Sequence, residues 1–299
     1  MHKLFDFLPQ IILFCMKTTQ FILILTTVLC VACTESEKNQ NKSTSDKVEN
    51  TADTTSQTAA EPLKIVKRHF PLSADFYQIT NISSATVEYT TGEYSVWAEG
   101  DSASLANLQV DIDGGVLTIM TPLDANDYLL SYPSATGIKV HVSAPEMKTV
   151  ALCAGGGFVC HGKLSTEFLQ LGGVIGGQMD IDSVECDRFR YDSNGATVIN
   201  INDVKCQECV IVSGGEGTIN MGINASKSAY VDLKGSTVCN STLHSPDIEV
   251  SVGSQGAVNL KVDTENFKMN ALSGIVNVSG KARRKDIKKT STAVVNSSL

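Results

Sequence analysis

A repeat of about twenty residues is the feature of this 299-residue sequence that most constrains its fold. Triplets of an apolar, a polar and an apolar residue recur with steps of 20, 20, 20, 19 and 18 residues, beginning at Met179, Ile199, Ile219, Cys239, Val258 and Val276. Apolar pairs recur with steps of 20, 20, 20, 19 and 19 residues, beginning at Leu169, Phe189, Cys209, Ala229, Ile248 and Phe267. Six copies of both patterns indicate one structural unit used repeatedly.

The twenty-residue unit predicts an all-β fold. Side chains alternate along a strand, so the first and third residues of each triplet face inward and the middle one faces outward. A chain that forms two short strands and returns above itself builds a solenoid, and parallel crossovers are right-handed as a rule. We therefore predict a right-handed parallel β-helix over residues 151–282. A β-sandwich is the alternative, but its hairpins would not align like residues in columns.

The segments on either side of the repeats differ from them. Residues 62–150 contain strands without the strict period, and turns at Gly92-Glu93 and at Asp113-Gly114-Gly115 predict hairpins that form an N-terminal antiparallel cap. Residues 283–299 are predicted to be a polar basic tail. The cations near this end either form a solvated cap or contact anionic envelope glycans. They are Lys281, Arg283, Arg284, Lys285, Lys288 and Lys289.

The first 61 residues have the composition of an exported lipoprotein. Residues 1–33 contain a short apolar run that ends at Cys33, which is typical of a signal peptide, and Met16 is the expected start. Val31-Ala32-Cys33 resembles a lipobox, so we expect a lipid on Cys33 that anchors the protein to a membrane. An ordinary cleaved signal peptide with a free thiol is the alternative. Residues 34–61 are polar and predict a flexible linker.

The net charge and the residue after Cys33 limit which binding partners and which cellular location we expect for this protein. The net charge of −8 disfavours a nucleic-acid partner. Thr34 follows Cys33 where an inner-membrane lipoprotein would have Asp, so we expect an outer-membrane lipoprotein of the cell envelope, facing either the periplasm or the surface.

Cysteines recur in the mature part of the chain, and Cys206-Gln207-Glu208-Cys209 has metal-site or redox spacing. It lacks a second cysteine pair or a nearby histidine, so we expect neither a metal nor a cofactor. The period instead makes these thiols small buried apolar groups. Cys186 and Cys206 lie twenty residues apart on adjacent turns, within reach of a disulfide, and export would permit oxidation.

The middle residues of the triplets form a polar column that starts at Asp180. A ligand-binding strip is one interpretation, but stacked amides hydrogen-bond to one another along a solenoid, which favours a structural ladder. The predicted ladder consists of Asn200, Asn220, Asn240, Asn259 and Asn277.

A carbohydrate-active enzyme, a polysaccharide lyase or hydrolase on the same scaffold, is the alternative function. The nearest candidates for its catalytic groups are Asp180, Asp182 and Asp187 with Arg188 and Arg190. A carboxylate pair is necessary for glycoside hydrolysis but not specific for it. We expect these side chains to be solvated polar positions, and we predict no catalytic residues and no enzymatic activity.

Several segments resemble the putative auto-transporter adhesin, head GIN domain family, over roughly residues 70–280. They are Val87 to Val96, Asp113 to Ile119, Val142-Ser143-Ala144-Pro145 and Gly217-Thr218-Ile219-Asn220. The resemblance implies a right-handed β-helix in an exported bacterial protein, with adhesion as its function and no catalytic residues to carry over. We therefore expect a non-catalytic adhesin that binds a glycan or a surface protein on the solenoid.

Overall fold

The computed structural model describes residues 65–121 and 137–299. The predicted signal peptide, the linker and Cys33 lie outside these residues. The elements are β1 (Ile65–His69), β2 (Gln78–Ile82), β3 (Thr86–Thr91), β4 (Ser95–Asp101), α1 (Ser102–Asn107), β5 (Gln109–Asp113), β6 (Val116–Met120), β7 (Lys139–Ala144), β8 (Thr149–Leu152), β9 (Gly157–Gly173), β10 (Gly176–Ser193), β11 (Ala196–Ser213), β12 (Thr218–Leu233), β13 (Val238–His244), β14 (Asp247–Val252), β15 (Ala257–Ala271), β16 (Gly274–Lys289) and β17 (Ala293–Ser298).

The strands form a β-solenoid of about eight turns, which confirms the predicted fold class. Equivalent residues of successive repeats lie opposite one another in parallel register: Ile219 pairs with Ile199 before it and Cys239 after it. We call the stack that carries the triplets the triplet column. The other stack, which carries the apolar pairs, is the pair column, in which Cys209 pairs with Phe189 and Ala229.

The core lies between the two columns. The first residue of every triplet is completely buried, and so are the pair residues Leu169, Tyr191 and Ile211. Each fully buried aliphatic or aromatic side chain contributes about 1.5–3 kcal/mol through removal of apolar surface from water. The core therefore extends along the whole axis of the solenoid, and the side chains of each turn cover those of the turn before it.

The N-terminal region contributes two turns of the solenoid as well as a cap. Strand β2 pairs in parallel with β6 and β8, and β3 pairs in parallel with β7 and β9, so β2 and β3 form a turn inserted between later parts of the chain. Strands β1, β4 and β5 pair antiparallel at this end. The hairpin predicted at Asp113-Gly114-Gly115 is confirmed by the pairing of β5 with β6.

The hairpin predicted at Gly92-Glu93 is wrong. Strand β7 lies between β3 and β4, parallel to β3 and antiparallel to β4. A turn sequence reports only that the chain reverses locally. The distant segment β7 occupies the edge that a hairpin would have used.

The solenoid also continues past residue 282, so residues 283–299 are not a tail. They contain the second half of β16 and all of β17, both in parallel register with the preceding turns. Lys285 and Lys289 lie opposite the buried residues Phe267 and Ala271. No further pair-column strand covers them in the described structure. Their charges therefore remain in water, and the Lys285 Nζ donates a hydrogen bond to the Leu299 carbonyl oxygen at 2.9 Å.

A candidate ligand-binding groove along the asparagine ladder

The structure brings the asparagines of the predicted ladder together on the outer face of the triplet column. Each Nδ2 donates to the Oδ1 of the preceding turn, beginning with Asn200, which donates to Asp180 at 2.7 Å. The following bonds, from Asn220, Asn240, Asn259 and Asn277, measure 2.7, 3.1, 2.8 and 2.8 Å. A ladder of this kind holds every amide in one fixed orientation.

Asn296 extends the ladder by one further turn, donating to Asn277 at 2.8 Å. Asn296 lies outside the predicted ladder because the composition of residues 283–299 predicts a polar tail, although Val295-Asn296 repeats the start of Val276-Asn277-Val278. All the amide dipoles point the same way along the axis. Their donor ends face Asp180, whose carboxylate stabilises them as an anion stabilises a helix N-terminus.

The C-terminal half of the ladder forms the floor of an open groove of about 850 Å³. We call it the ladder groove. Polar and small side chains line it on one side of the asparagines, and they include Asn202, Gly222, Thr242, Lys261, Ser279 and Ser298. On the other side, two residues before each asparagine, the outer face carries Val238, Ala257, Ile275 and Val294. Ile275 and Val294 are adjacent across the strands and are 51% and 53% exposed.

The groove presents amide hydrogen-bonding groups and few charged side chains. Each ladder amide from Asn200 to Asn277 uses one N–H and its carbonyl within the ladder, which leaves the second N–H and a carbonyl lone pair for a ligand. Lys261 is the one charged side chain among the residues that line the groove, and none of them is a carboxylate or a histidine.

The candidate catalytic residues do not meet in this groove. Asp180 begins the ladder, and the Asp182 carboxylate accepts a hydrogen bond from the Gly162 backbone N–H at 2.8 Å. Asp187 accepts from Gln207 at 2.8 Å, and Arg190 donates to Asp192 through two guanidinium nitrogens. These carboxylates mostly join adjacent turns, which is the role of solvated polar positions on a coil.

Cys186 and Cys206 lie on adjacent turns, as free thiols that are 9% and 8% exposed. They line a shallow groove of about 480 Å³ together with Lys163 and Lys205. Burial raises the pKa of Cys186 to about 12. A hydrogen bond with the Cys209 thiol lowers the pKa of Cys206. No cluster of three or more histidine, cysteine or acidic side chains suited to a metal ion occurs in residues 65–121 and 137–299.

A group of aromatic and charged side chains lies on the same outer face as the ladder, toward the N-terminal end. We call the row of outward side chains that includes this group and the ladder a file. Trp97 stacks on His141 with ring centroids 3.7 Å apart and planes 10° from parallel. The His141 Nδ1 lies 3.3 Å from Glu88 and its Nε2 lies 3.3 Å from Glu99. A hydrogen bond from Lys139 lowers the pKa of Glu88. No local sequence pattern identifies this group, because it depends on β7 lying between β3 and β4.

Solved structures of low sequence identity share this fold. A putative adhesin from Parabacteroides distasonis has a TM-score of 0.66 and 17% identity, covering 78% of this chain and 97% of its own. One from Parabacteroides merdae has a TM-score of 0.59 and 17% identity, covering 78% and 95%. A putative lipid binding protein from Parabacteroides distasonis has a TM-score of 0.55 and 14% identity, covering 78% and 97%.

No curated protein matches the chain. In the part of the chain that the structure describes, no helix has the length and apolar character needed to cross a membrane. The model of one family, described as putative auto-transporter adhesin, head GIN domain, matches residues 75–237. Because that match spans more than half of the 299 residues, the chain belongs to the putative auto-transporter adhesin, head GIN domain family.

Proposed function

We propose that this protein is a non-catalytic adhesin of the cell envelope, held at the outer membrane by a lipid on Cys33, which binds a polysaccharide along the ladder groove. The observation that carries the proposal is the row of oriented amides from Asn220 to Asn296 on the groove floor. Membership of an adhesin family supports a role in binding at the envelope.

The chemistry of the groove suits an extended sugar chain. Sugar hydroxyls both donate and accept hydrogen bonds, and the ladder amides present both functions at every turn. The exposed aliphatic side chains of Ile275 and Val294 would pack against the apolar faces of the sugar rings. Small-molecule sites are enclosed and mostly apolar, whereas an open groove running across successive turns is suited to a long ligand.

The same lining supports binding without catalysis. Glycoside hydrolysis canonically needs two carboxyl groups, about 5 to 10 Å apart, on either side of the scissile bond. None of the residues that line the ladder groove is Asp or Glu. A polysaccharide that lies on the asparagines would therefore be held without a general acid or a nucleophile beside it.

A glycan array probed with the purified protein tests the proposal. The double variant Asn240→Ala/Asn259→Ala should lose most of the binding, because two successive amides of the floor are removed. The matched control is Asn266→Ala/Asn270→Ala, which removes two amides from the outer face of the pair column. Equal binding by both double variants, or absence of any glycan ligand, would contradict the proposed function.

A further inference from the structure

Positive charge is concentrated at one place in this acidic protein. The nine residues from Lys281 to Lys289 contain six cations and one Asp, whereas the whole chain has a net charge of −8. We call these nine residues the cationic segment. They belong to β16, so their backbone is fixed by pairing with β15.

The cationic segment adjoins the ladder groove. Ser279 lines the groove, and Lys281 follows it by two residues on the outward face of the same strand. Lys261 lines the groove opposite Ser279, one turn earlier. The positive charges therefore begin at the margin of the groove and continue along β16 into the pair column.

Three of these cations make no ion pair among the residues that the structure describes. Arg283 pairs with Glu265 at 3.2 Å, and Lys288 lies 3.9 Å from Asp286. Lys281, Arg284 and Lys289 are exposed and make no ion pair with any residue in the described ranges. Such unpaired surface charges favour the approach of an anionic ligand, and salt screens that attraction.

We propose that the polysaccharide bound by the ladder groove is an acidic one, whose carboxylate or sulfate groups contact Lys261, Lys281 and Arg284. This inference rests on the proposed function and names the class of its ligand. The sugar rings lie on the asparagines, and the chain leaves the groove at the cationic end. A polyanion would be repelled by most of this acidic protein. The cations therefore also determine that the ligand approaches the solenoid at the cationic segment.

A membrane of anionic lipids fits these observations less well. A flat lipid surface would need cations that share one plane. Here the cations extend an existing groove and then pass from the triplet column into the pair column. A flexible anionic chain can follow that path.

The experiment compares matched probes on the full chain: dextran, dextran sulfate and polygalacturonate, with vesicles of phosphatidylglycerol and of phosphatidylcholine. The test variant is Lys261→Gln/Lys281→Gln/Arg284→Gln. The matched control removes the same charge elsewhere, as Lys163→Gln/Lys205→Gln/Lys227→Gln. We expect the acidic polymers to bind more tightly than dextran, with affinity that falls as salt rises. The test variant should lose about tenfold of that affinity at low salt, and the control variant should lose little.

The outcomes separate this inference from the proposed function. Equal affinity for dextran and the acidic polymers, unchanged in the test variant, would overturn the acidic ligand and leave the polysaccharide groove intact. Absence of binding to every polymer would overturn both. Binding to phosphatidylglycerol vesicles that matches the acidic polymers, and is lost in the same variant, would replace the polysaccharide with a membrane surface. Preference for dextran sulfate or polygalacturonate identifies the anionic group.

Discussion

At the scale of single residues, the thiol of Cys239 lies in the apolar core, with its Sγ 3.4 Å from the Ser241 hydroxyl. It lies in the triplet column between Ile219 and Val258 and is completely buried. Burial raises its pKa to about 11, since the thiolate would be formed away from water. Burial also raises the pKa of Cys160 to about 11 and that of Cys186 to about 12. Cys160 lies opposite Ile181 and Tyr89 of the neighbouring turns, whereas Cys186 lies opposite Thr166.

The raised pKa of Cys239 predicts a loss of stability in alkali. Above pH 9 the unfolded thiol ionises while the folded thiol stays protonated, so the folded state binds more protons and the free energy of unfolding falls as pH rises. The loss between pH 9 and 11 is up to about 1.4 kcal/mol per pH unit for this thiol. Cys239→Val places an aliphatic side chain that cannot ionise at the same position in the column. Its free energy of unfolding should therefore fall less steeply as pH rises.

Urea unfolding under reducing conditions at pH 7, 9 and 10.5 measures this effect. The other buried thiols and Tyr191 titrate in both proteins, so only the difference between the two slopes reports on Cys239. Identical pH dependence in the parent and in Cys239→Val would show that the thiol ionises as easily in the folded state as in the unfolded one.

At the scale of elements, one strand separates two kinds of position. Ile219 is completely buried, whereas the next residue, Asn220, donates to Asn200 and accepts from Asn240 on the outer face. A shift of the register by one residue would place the amides in the core and the aliphatic side chains in water. Burial of the aliphatic side chains and hydrogen bonding of the amides therefore both favour the same pairing register of β12 with its neighbouring strands.

The inside and outside of β12 should respond differently to one new carboxylate. Ile219→Asp places an unpaired charge among apolar turns, which costs several kcal/mol, a large part of the stability of a domain. Asn220→Asp removes one donor from a partly solvated ladder and should cost about 1 kcal/mol. Circular dichroism and urea midpoints of both variants test the prediction, and an Ile219→Asp protein as stable as the parent would rule it out.

At the scale of the whole molecule, the ladder groove and the cationic segment lie toward one end of the solenoid. The Trp97 group lies at the other end of the same file of outward residues, because His141 pairs with Trp97 and Glu88. A solenoid makes such long files possible because each turn repeats the orientation of the turn before it. The proposed ligand is accordingly a chain, not a single compact molecule.

The proposed lipid anchor predicts where the protein is found in the cell. Cys33→Ser removes the sulfur that would carry the lipid, so the protein should leave the membrane fraction after a high-salt wash. Cys30→Ser changes a nearby cysteine of the same segment and should remain with the membranes. Retention of the Cys33→Ser protein in washed membranes would show that another part of the chain holds it there.

The comparison of sequence and structure is clearest in the ladder. The positions from Asn200 to Asn277 follow directly from the period. An amide in the middle of a triplet lies beside the equivalent residues of the turns before and after it, so the two can form a hydrogen bond. Asn296 was missed because the charges of residues 281–289 hid the last repeat. A periodic signal is lost where inward positions no longer need to be apolar.

The sequence by itself determined the β-solenoid, the inward and outward sides of each strand, and the buried character of Cys186, Cys206 and Cys239. These properties depend on alternation and period, which are local. Only the tertiary structure decided that β2 and β3 form a turn between later segments, that β7 lies between β3 and β4, and that the ladder floor is an open groove beside the cations. Those features depend on which distant segments meet, and the free energy of such contacts is shared among strands that no local pattern connects.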